Sequence, residues 1–265
     1  MMLKHVLFLG PPGVGKGTYA KRVAPRLRFA HVSPGDMLRQ VSASNLEVRS
    51  CLEQGQLVSE SVVFELMETE IRRSANLFDG LILDGFPRNS EQARGWIERK
   101  GSRIPDLVVL FNLPDELLVQ KLLGRRVCGS CGDLYNMFSF NKGEYIMPAM
   151  LPKRTGLCDK CGCGLVQRSD DKVDIIRQRL KVHQGEENKL VQYMGNKSCE
   201  ILRFEVKSGI SQLDELVSNI KNSLGILYFI FEREYSTITW ITNFSLYSRL
   251  MAFKTPGNRG LYTEQ

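Results

Sequence analysis

Apolar residues fall in short runs, Val6 to Leu9, Phe29 to Val32, Leu81 to Leu83, Leu107 to Leu113 and Ile201 to Val206, separated by longer stretches of helical spacing. The first four carry at most one polar residue each and do not alternate, whereas Arg203 and Glu205 interrupt the last. That is the pattern of strands covered on both faces, so it predicts an α/β fold with a central parallel sheet. Ligand chemistry in such a fold belongs at the carboxyl ends of the strands. Helices are predicted over Ala20 to Leu27, in several pieces between Gly35 and Asn76, and over Asp115 to Leu123. The segment from Gly35 to Asn76 reads as a small helical subdomain rather than a strand crossover. Arg125 to Asp171, rich in Gly, Pro and Cys, reads as an inserted minidomain. From Ile226 onward the chain changes character: nine of its 23 aromatic residues lie there, and Thr237-Ile238-Thr239-Trp240 alternates like a strand. That tail carries no chemical motif.

Composition narrows the class. With 43% hydrophobic and 25% charged residues, the 265-residue chain is neither disordered nor fibrous. Its length suits one large α/β unit with an appendage. A net charge of +7 points to an anionic partner: nucleotide, nucleic acid or membrane surface. No apolar run is long enough to span a bilayer; the closest, Leu224 to Phe231, stops at Glu232. With no presequence recognisable before Val6, a cytoplasmic setting is expected. Seven cysteines, four of them in two C-x-x-C pairs, then read as reduced thiols in a metal pattern rather than as disulfides.

Gly10-Pro-Pro-Gly13-Val14-Gly15-Lys16-Gly17-Thr18 follows the first apolar run and precedes a helix. Backbone N–H groups in such a loop, together with the positive end of the helix, cradle phosphates, and Lys16 reaches the outer oxygens. Gly17 stands directly after the lysine, with Thr18 one place later. The third run ends in Asp84-Gly85-Phe86-Pro87-Arg88: a carboxylate able to hold a water of magnesium, then an arginine able to clamp a phosphate. The spacing Asn89-Ser90-Glu91-Gln92 also fits a capping box at a helix start.

These pieces, with Gly35-Asp36-Met37-Leu38-Arg39, Gly124-Arg125-Arg126, Arg168-Ser169-Asp170-Asp171 and Arg179, occur in one order over about residues 4 to 222. Together they resemble the adenylate kinase family in its long-lid form. The resemblance implies a P-loop three-layer fold with a monophosphate-binding insertion at about 33–62, a lid at about 124–171 and an extension at 223–265. It implies reversible phosphoryl transfer from magnesium-ATP to AMP, giving two ADP. Lys16, Arg88, Arg125, Arg168 and Arg179 would be catalytic. ATP would lie against Gly13, Val14, Gly15, Lys16, Gly17, Thr18, Lys121 and Arg125, with Lys121 where the family often has an arginine. The AMP phosphate would be held by Arg39 and Arg88, with Arg168 and Arg179 nearby. Its base would meet Gln56, Leu57, Val58 and Gln92, and Pro34, Gly85, Phe86 and Pro87 would complete the AMP site. Asp36 and Asp84 would organise magnesium through water. Kinases resembling this chain are usually monomers, and neither nucleic acid nor membrane is expected as a partner. Pro34, where the family often has a hydroxyl residue, and Asn89 keep a UMP/CMP kinase open as an alternative; ATP and GTP are both open as donor.

Cys128-Gly-Ser-Cys131 and Cys158-Asp-Lys-Cys161 fall in the lid segment, each followed by a glycine. Four thiolates in this arrangement suit a structural tetrahedral zinc. Cys163 offers a fifth sulfur, so the fourth ligand is Cys161 or Cys163. Such a staple would make the segment a hinged flap bearing Arg125 and Arg168. Ser169-Asp170-Asp171 is placed to cap the helix that carries Arg179. The rival from another class is a non-catalytic nucleotide sensor or zinc-ribbon binder, which would use Lys16 and the cysteines but leave the arginines unexplained. Past residue 222 the tail holds four basic and three acidic residues, so +6 of the +7 lies with the polyphosphate-binding unit.

Overall fold

The computed structural model describes residues 3–226 apart from 55, 57 and 100–102. Leu57, the whole aromatic tail and its strand-like stretch therefore lie outside the described residues.

All five apolar runs form strands: β1 (Lys4–Leu9), β2 (Phe29–Val32), β3 (Gly80–Asp84), β4 (Leu107–Asn112) and β10 (Glu200–Glu205). They pair in parallel in the order β10-β4-β1-β3-β2. Successive residues of β1 point to opposite faces. Val6 and Phe8 join one core with Tyr19, Val23, Leu216 and Ile220, while Leu7 and Leu9 join another with Phe64, Met67, Trp96 and Leu190. The first layer is made by α1 (Lys16–Leu27) and α8 (Leu213–Ser223), the second by α4 (Glu60–Ser74), α5 (Ser90–Ile97) and α7 (Val173–Asn196). Both faces are closed over β1, β3 and β4, which is why their sequences carry no polar alternation, whereas at the sheet edge β10 keeps Arg203 exposed and Glu205 half-buried.

The segment between β2 and β3 divides. α2 (Pro34–Val41) and α3 (Leu46–Glu53) form the outer part, but α4 returns to the sheet and buries Val63, Phe64 and Met67. The expectation of a subdomain rather than a crossover thus fails for α4, whose apolar stripe is spent on the sheet. Pro34 is the first residue of α2, where its missing N–H is not needed, and Ser33 accepts the Asp36 N–H as N-cap.

After α6 (Asp115–Gly124) come the short strands β5 (Arg125–Cys128), β6 (Leu134–Asn136) and β9 (Leu165–Val166), ordered β6-β5-β9, with a hairpin of β7 (Phe140–Lys142) and β8 (Tyr145–Met147). The hairpin is anchored to the sheet's end. Ile146 N donates to Lys207 O at 2.9 Å, the Tyr145 hydroxyl bonds Glu205 at 2.5 Å, and Met147 enters the first core. Among the described residues, no helix is long and apolar enough to cross a membrane.

Candidate active site

The carboxyl ends of β1, β2 and β3, the inner face of α7 and the lid enclose one cavity of about 590 Å³, within the range of small-molecule sites. The loop between β1 and α1 forms its floor: Gly13, Val14, Gly15, Lys16, Gly17 and Thr18 all line it. Gly15 is the N-cap of α1, so the helix begins at Lys16, four residues earlier than its apolar spacing suggested. A Cβ on Gly17 would come within 3.0 Å of the Asp84 carboxylate, which accounts for glycine directly after the lysine. Lys16 Nζ donates to the carbonyls of Gly10 at 2.6 Å and Pro11 at 3.0 Å.

Around this floor stand Arg39, Arg88, Lys121, Arg125, Arg168 and Arg179, all on the cavity wall. So many cations are tolerated because carboxylates are interleaved with them. Arg125 makes a two-pronged pair with Asp171, Nε to Oδ2 2.8 Å and Nη2 to Oδ1 2.5 Å, and the Asp171 side chain is fully enclosed. Arg179 donates to Asp170 at 2.7 Å. Asp36 takes Arg39 at 2.7 Å and Arg168 at 3.5 Å, with Lys21 at 4.0 Å. Burial works to raise the Asp36 and Asp170 carboxyls, but the surrounding arginines hold both below the usual range. The cations are strained the other way. Burial, then repulsion from Arg125 and Arg39, pulls Arg168 down to about 9; burial, then Arg179 and Arg39, pulls Arg88 to about 10. Burial brings Lys16 and Lys121 to about 8. Arg168 Nε is buried without a hydrogen-bond partner. A site that crowds cations beyond its own counter-charge and aims a buried donor at nothing in the protein fits a polyanion.

Asp170 and Asp171 do not cap α7: its N-cap is Lys172, without a side-chain cap bond. The capping expectation is corrected because pairing with Arg125, 46 residues away, and with Arg179 commits both carboxylates.

Asp84 faces the cavity with Oδ2 3.1 Å from His31 Nε2, a partner the sequence did not single out. Of the two carboxylates expected toward magnesium, Asp36 is the hub of an ion-pair cluster, whereas the Asp84 side chain has, among the described residues, this one hydrogen-bonded neighbour.

Gln56, Gly85, Pro87 and Asn89 line the same cavity. Pro34, Phe86 and Gln92 are buried behind the wall, and Val58 packs on the second core. Phe86 contacts Trp96 and Phe64 edge-on. The capping spacing at Asn89 is realised: Asn89 Oδ1 accepts Gln92 N–H at 2.7 Å, and Gln92 Oε1 accepts Arg88 N–H at 2.7 Å, which fixes the backbone that carries Arg88. Lys121 Nζ donates to Val14 O at 3.2 Å and lies 3.6 Å from Met147 Sδ, joining the loop to the lid hairpin. Phe138, Phe140 and Met147 form an apolar wall that carried no motif in the sequence.

In the lid, the sulfurs of Cys128, Cys131, Cys158 and Cys161 lie within 4.8 Å of one another. Two knuckles are superimposed in chemistry: Gly132 N donates to Cys128 O and Gly162 N to Cys158 O, with Gly132 and Gly162 at φ 70° and 73°, the left-handed turn that glycine adopts freely. The structure brings Cys161 into the cluster, while the exposed Cys163 is turned to the Cys161 carbonyl. The Tyr135 hydroxyl donates to Cys158 Sγ at 3.6 Å and accepts Asp159 N–H at 2.7 Å. Four soft ligands, closed on one another, fit a structural tetrahedral metal site.

Comparison with known proteins agrees with this geometry. A family model described as adenylate kinase matches residues 8–199. Among curated relatives, an adenylate kinase of Clostridium tetani is 33% identical over 230 residues, covering 84% of this chain and 99% of the relative. One of Kosmotoga olearia is 37% identical over 196 residues, covering 71% and 86%. A GTP:AMP phosphotransferase of Plasmodium falciparum is 33% identical over 225 residues, covering 82% and 96%.

Proposed function

The chain belongs to the adenylate kinase family, and from that premise we propose that its cleft passes the terminal phosphoryl group of ATP reversibly to AMP, giving two ADP. The observation that carries this reading is the ring of six cations around the phosphate loop, four of them (Arg39, Arg125, Arg168 and Arg179) paired with Asp36, Asp170 and Asp171, and including the unsatisfied Arg168 Nε.

The acceptor is a phosphate oxygen and already a nucleophile, so the chain's work is alignment and neutralisation. The loop N–H groups and Lys16 hold the donor phosphates. Arg39 and Arg88 hold the AMP phosphate, with Gln92 bracing Arg88 through its backbone. Arg125, Arg168 and Arg179 turn from Asp171, Asp36 and Asp170 to the transferring group, exchanging carboxylate for phosphate oxygens at little cost in charge. The AMP base would lie by Gln56 and Val58, with Pro34, Gly85, Phe86, Pro87 and Gln92 shaping that side, and Lys121 toward the ATP base. Magnesium, carried in with ATP, neutralises phosphate charge. Asp84, oriented by His31, and Asp36 would order its waters. Cys128, Cys131, Cys158 and Cys161 would hold structural zinc, which completes the lid without an open coordination position. Four thiols suit a reducing compartment, so we assign the chain to the cytoplasm, and by its resemblance to monomeric kinases we take it to act as a monomer on free nucleotides.

ADP formation from ATP with AMP, CMP, UMP or GMP tests the reading. AMP should support turnover far above the other three, and equal or better use of a pyrimidine nucleotide would make the chain a UMP/CMP kinase. Repeating the AMP reaction with GTP as donor settles the donor base. Lys16→Met and Arg88→Met should each lower the rate by at least about 10³ with the fold retained. Full activity in both would favour a nucleotide sensor.

A further inference from the structure

α1 carries Gly17 and Lys21 four residues apart, so both lie on one helix face, and that face meets the lid. A Cβ on Gly17 would stand 3.9 Å from the Leu134 side chain at the start of β6. One turn further along, Lys21 Nζ donates to the Gly132 carbonyl at 2.5 Å and lies 4.0 Å from Asp36 Oδ2. Gly132 closes the first cysteine knuckle: its N–H donates to Cys128 O, and its carbonyl takes the lysine. Lys21 is not among the residues that line the cleft, so it is placed to act on the lid and not on a nucleotide.

Two short paths lead from this contact to the transfer arginines. Gly132 runs directly into β6, which pairs antiparallel with β5 in a register that sets Asn136 against Arg125. Holding the knuckle turn therefore holds the strand from which Arg125 starts. The second path runs through Asp36, which takes Arg168 at 3.5 Å as well as Arg39 at 2.7 Å. In the proposed reaction both arginines leave Asp36 for phosphate oxygens, and a half-buried carboxylate left without a partner is costly. Lys21 is the cation that stays beside it. An ammonium has three donors and needs no fixed plane, so one lysine serves the carbonyl and the carboxylate together. The buried cluster of the lid is Cys128, Tyr135 and Cys158, which leaves the knuckle little apolar surface with which to find its place on α1. A charged hydrogen bond supplies that register instead.

We propose that Lys21 is a positioning residue for the lid: it ties the Gly132 turn of the first cysteine knuckle to the phosphate-loop helix and keeps Asp36 paired, so that Arg125 and Arg168 close at one place over the transferring group. This rests on the phosphoryl-transfer reading of the cleft. The test uses the full chain with Lys21→Met, Lys21→Arg, Cys158→Ser and the Lys21→Met, Cys158→Ser double variant. The contact itself is read by NMR without nucleotide, from the carbonyl carbon resonance of Gly132 in isotope-labelled protein. It should shift in Lys21→Met and stay near its wild-type position in Lys21→Arg, which can still donate. An unmoved resonance in Lys21→Met overturns the proposal. In folded Lys21→Met, kcat/KM for ATP and for AMP should fall about tenfold, as loss of one partly exposed charged hydrogen bond implies, and Lys21→Arg should recover most of it. In the Cys158→Ser background, where the knuckle no longer presents its turn, Lys21→Met should cost less than about twofold more. The full loss repeated there would place the effect at Asp36 alone and overturn the proposal. So would unchanged kcat/KM in Lys21→Met, or a Lys21→Arg no better than Lys21→Met. Lys21→Gln, uncharged and shorter, takes the place of Lys21→Met under the same criteria if that variant does not fold. Wild type whose Gly132 resonance depends on Lys21 but which forms no ADP would count against the kinase reading alone, since the resonance needs no turnover.

Discussion

In the central sheet, Leu7, Leu81 and Val108 are completely enclosed, and the two faces extend into cores of 27 and 19 buried residues among those described. The lid encloses Cys128, Tyr135 and Cys158, with Leu165 against them. Ordering a residue costs roughly 1–2 kcal/mol, and a fully buried large side chain returns about 1.5–3 kcal/mol. The core meets that demand by burial. The lid's own cluster cannot, and two of the buried residues in it are thiols. What offsets the difference is outside hydrophobic burial: the four-sulfur cluster, where a structural zinc as proposed would contribute on the order of 10 kcal/mol, and docking of the hairpin through Tyr145, Ile146 and Met147. The difference has a functional use. A lid with little core of its own can move as a unit while its Arg125 and Arg168 are kept at fixed places on it.

The contrast can be broken from either side. Cys158→Ser should have the largest effect. It removes a ligand and the Tyr135 contact together, and because two transfer arginines depend on the lid, kcat should fall by about 10³ or more. ATP should still bind at the loop, and the melting of the sheet should be nearly unchanged. Steady-state kinetics alongside ATP titration checks this; wild-type kcat in a metal-free variant would detach the lid from the chemistry. Leu81→Ala should do the reverse. It opens a cavity in the second core, lowers global stability by about 2–5 kcal/mol, and leaves kcat per folded molecule close to wild type. Denaturant unfolding followed by activity reads both, and the loss should be the same with and without chelator.

The same contrast explains how much was legible beforehand. Strands with both faces covered announce themselves as apolar runs, so all five were read from the sequence, and the loop after β1 followed because its glycines are dictated by backbone and phosphate geometry. The lid's strands were not read: each is two to four residues long, and they are held by paired cysteines and docking rather than by side-chain alternation. The cysteines themselves were plain from spacing, but the choice of Cys161 over Cys163 needed coordinates, since both are close enough in sequence. The arginines were placed by the order of motifs, whereas their partners were misread. Asp170 and Asp171 look like helix caps because capping is a local relation, and pairing across 46 residues leaves no local trace. His31 was missed for a related reason: a single polar residue near a strand end carries no periodic signal, and only packing shows that it faces Asp84.

Hydrogen exchange on the full chain, with zinc present and after its removal by chelator, tests the central claim most directly. Removal should strip protection from amides of residues 125–168, Cys128 and Cys158 foremost, while β1, β3 and β4 keep theirs. Protection in the lid that is indifferent to metal, or lost equally from lid and sheet, would contradict a core held by burial and a lid held by its four sulfurs.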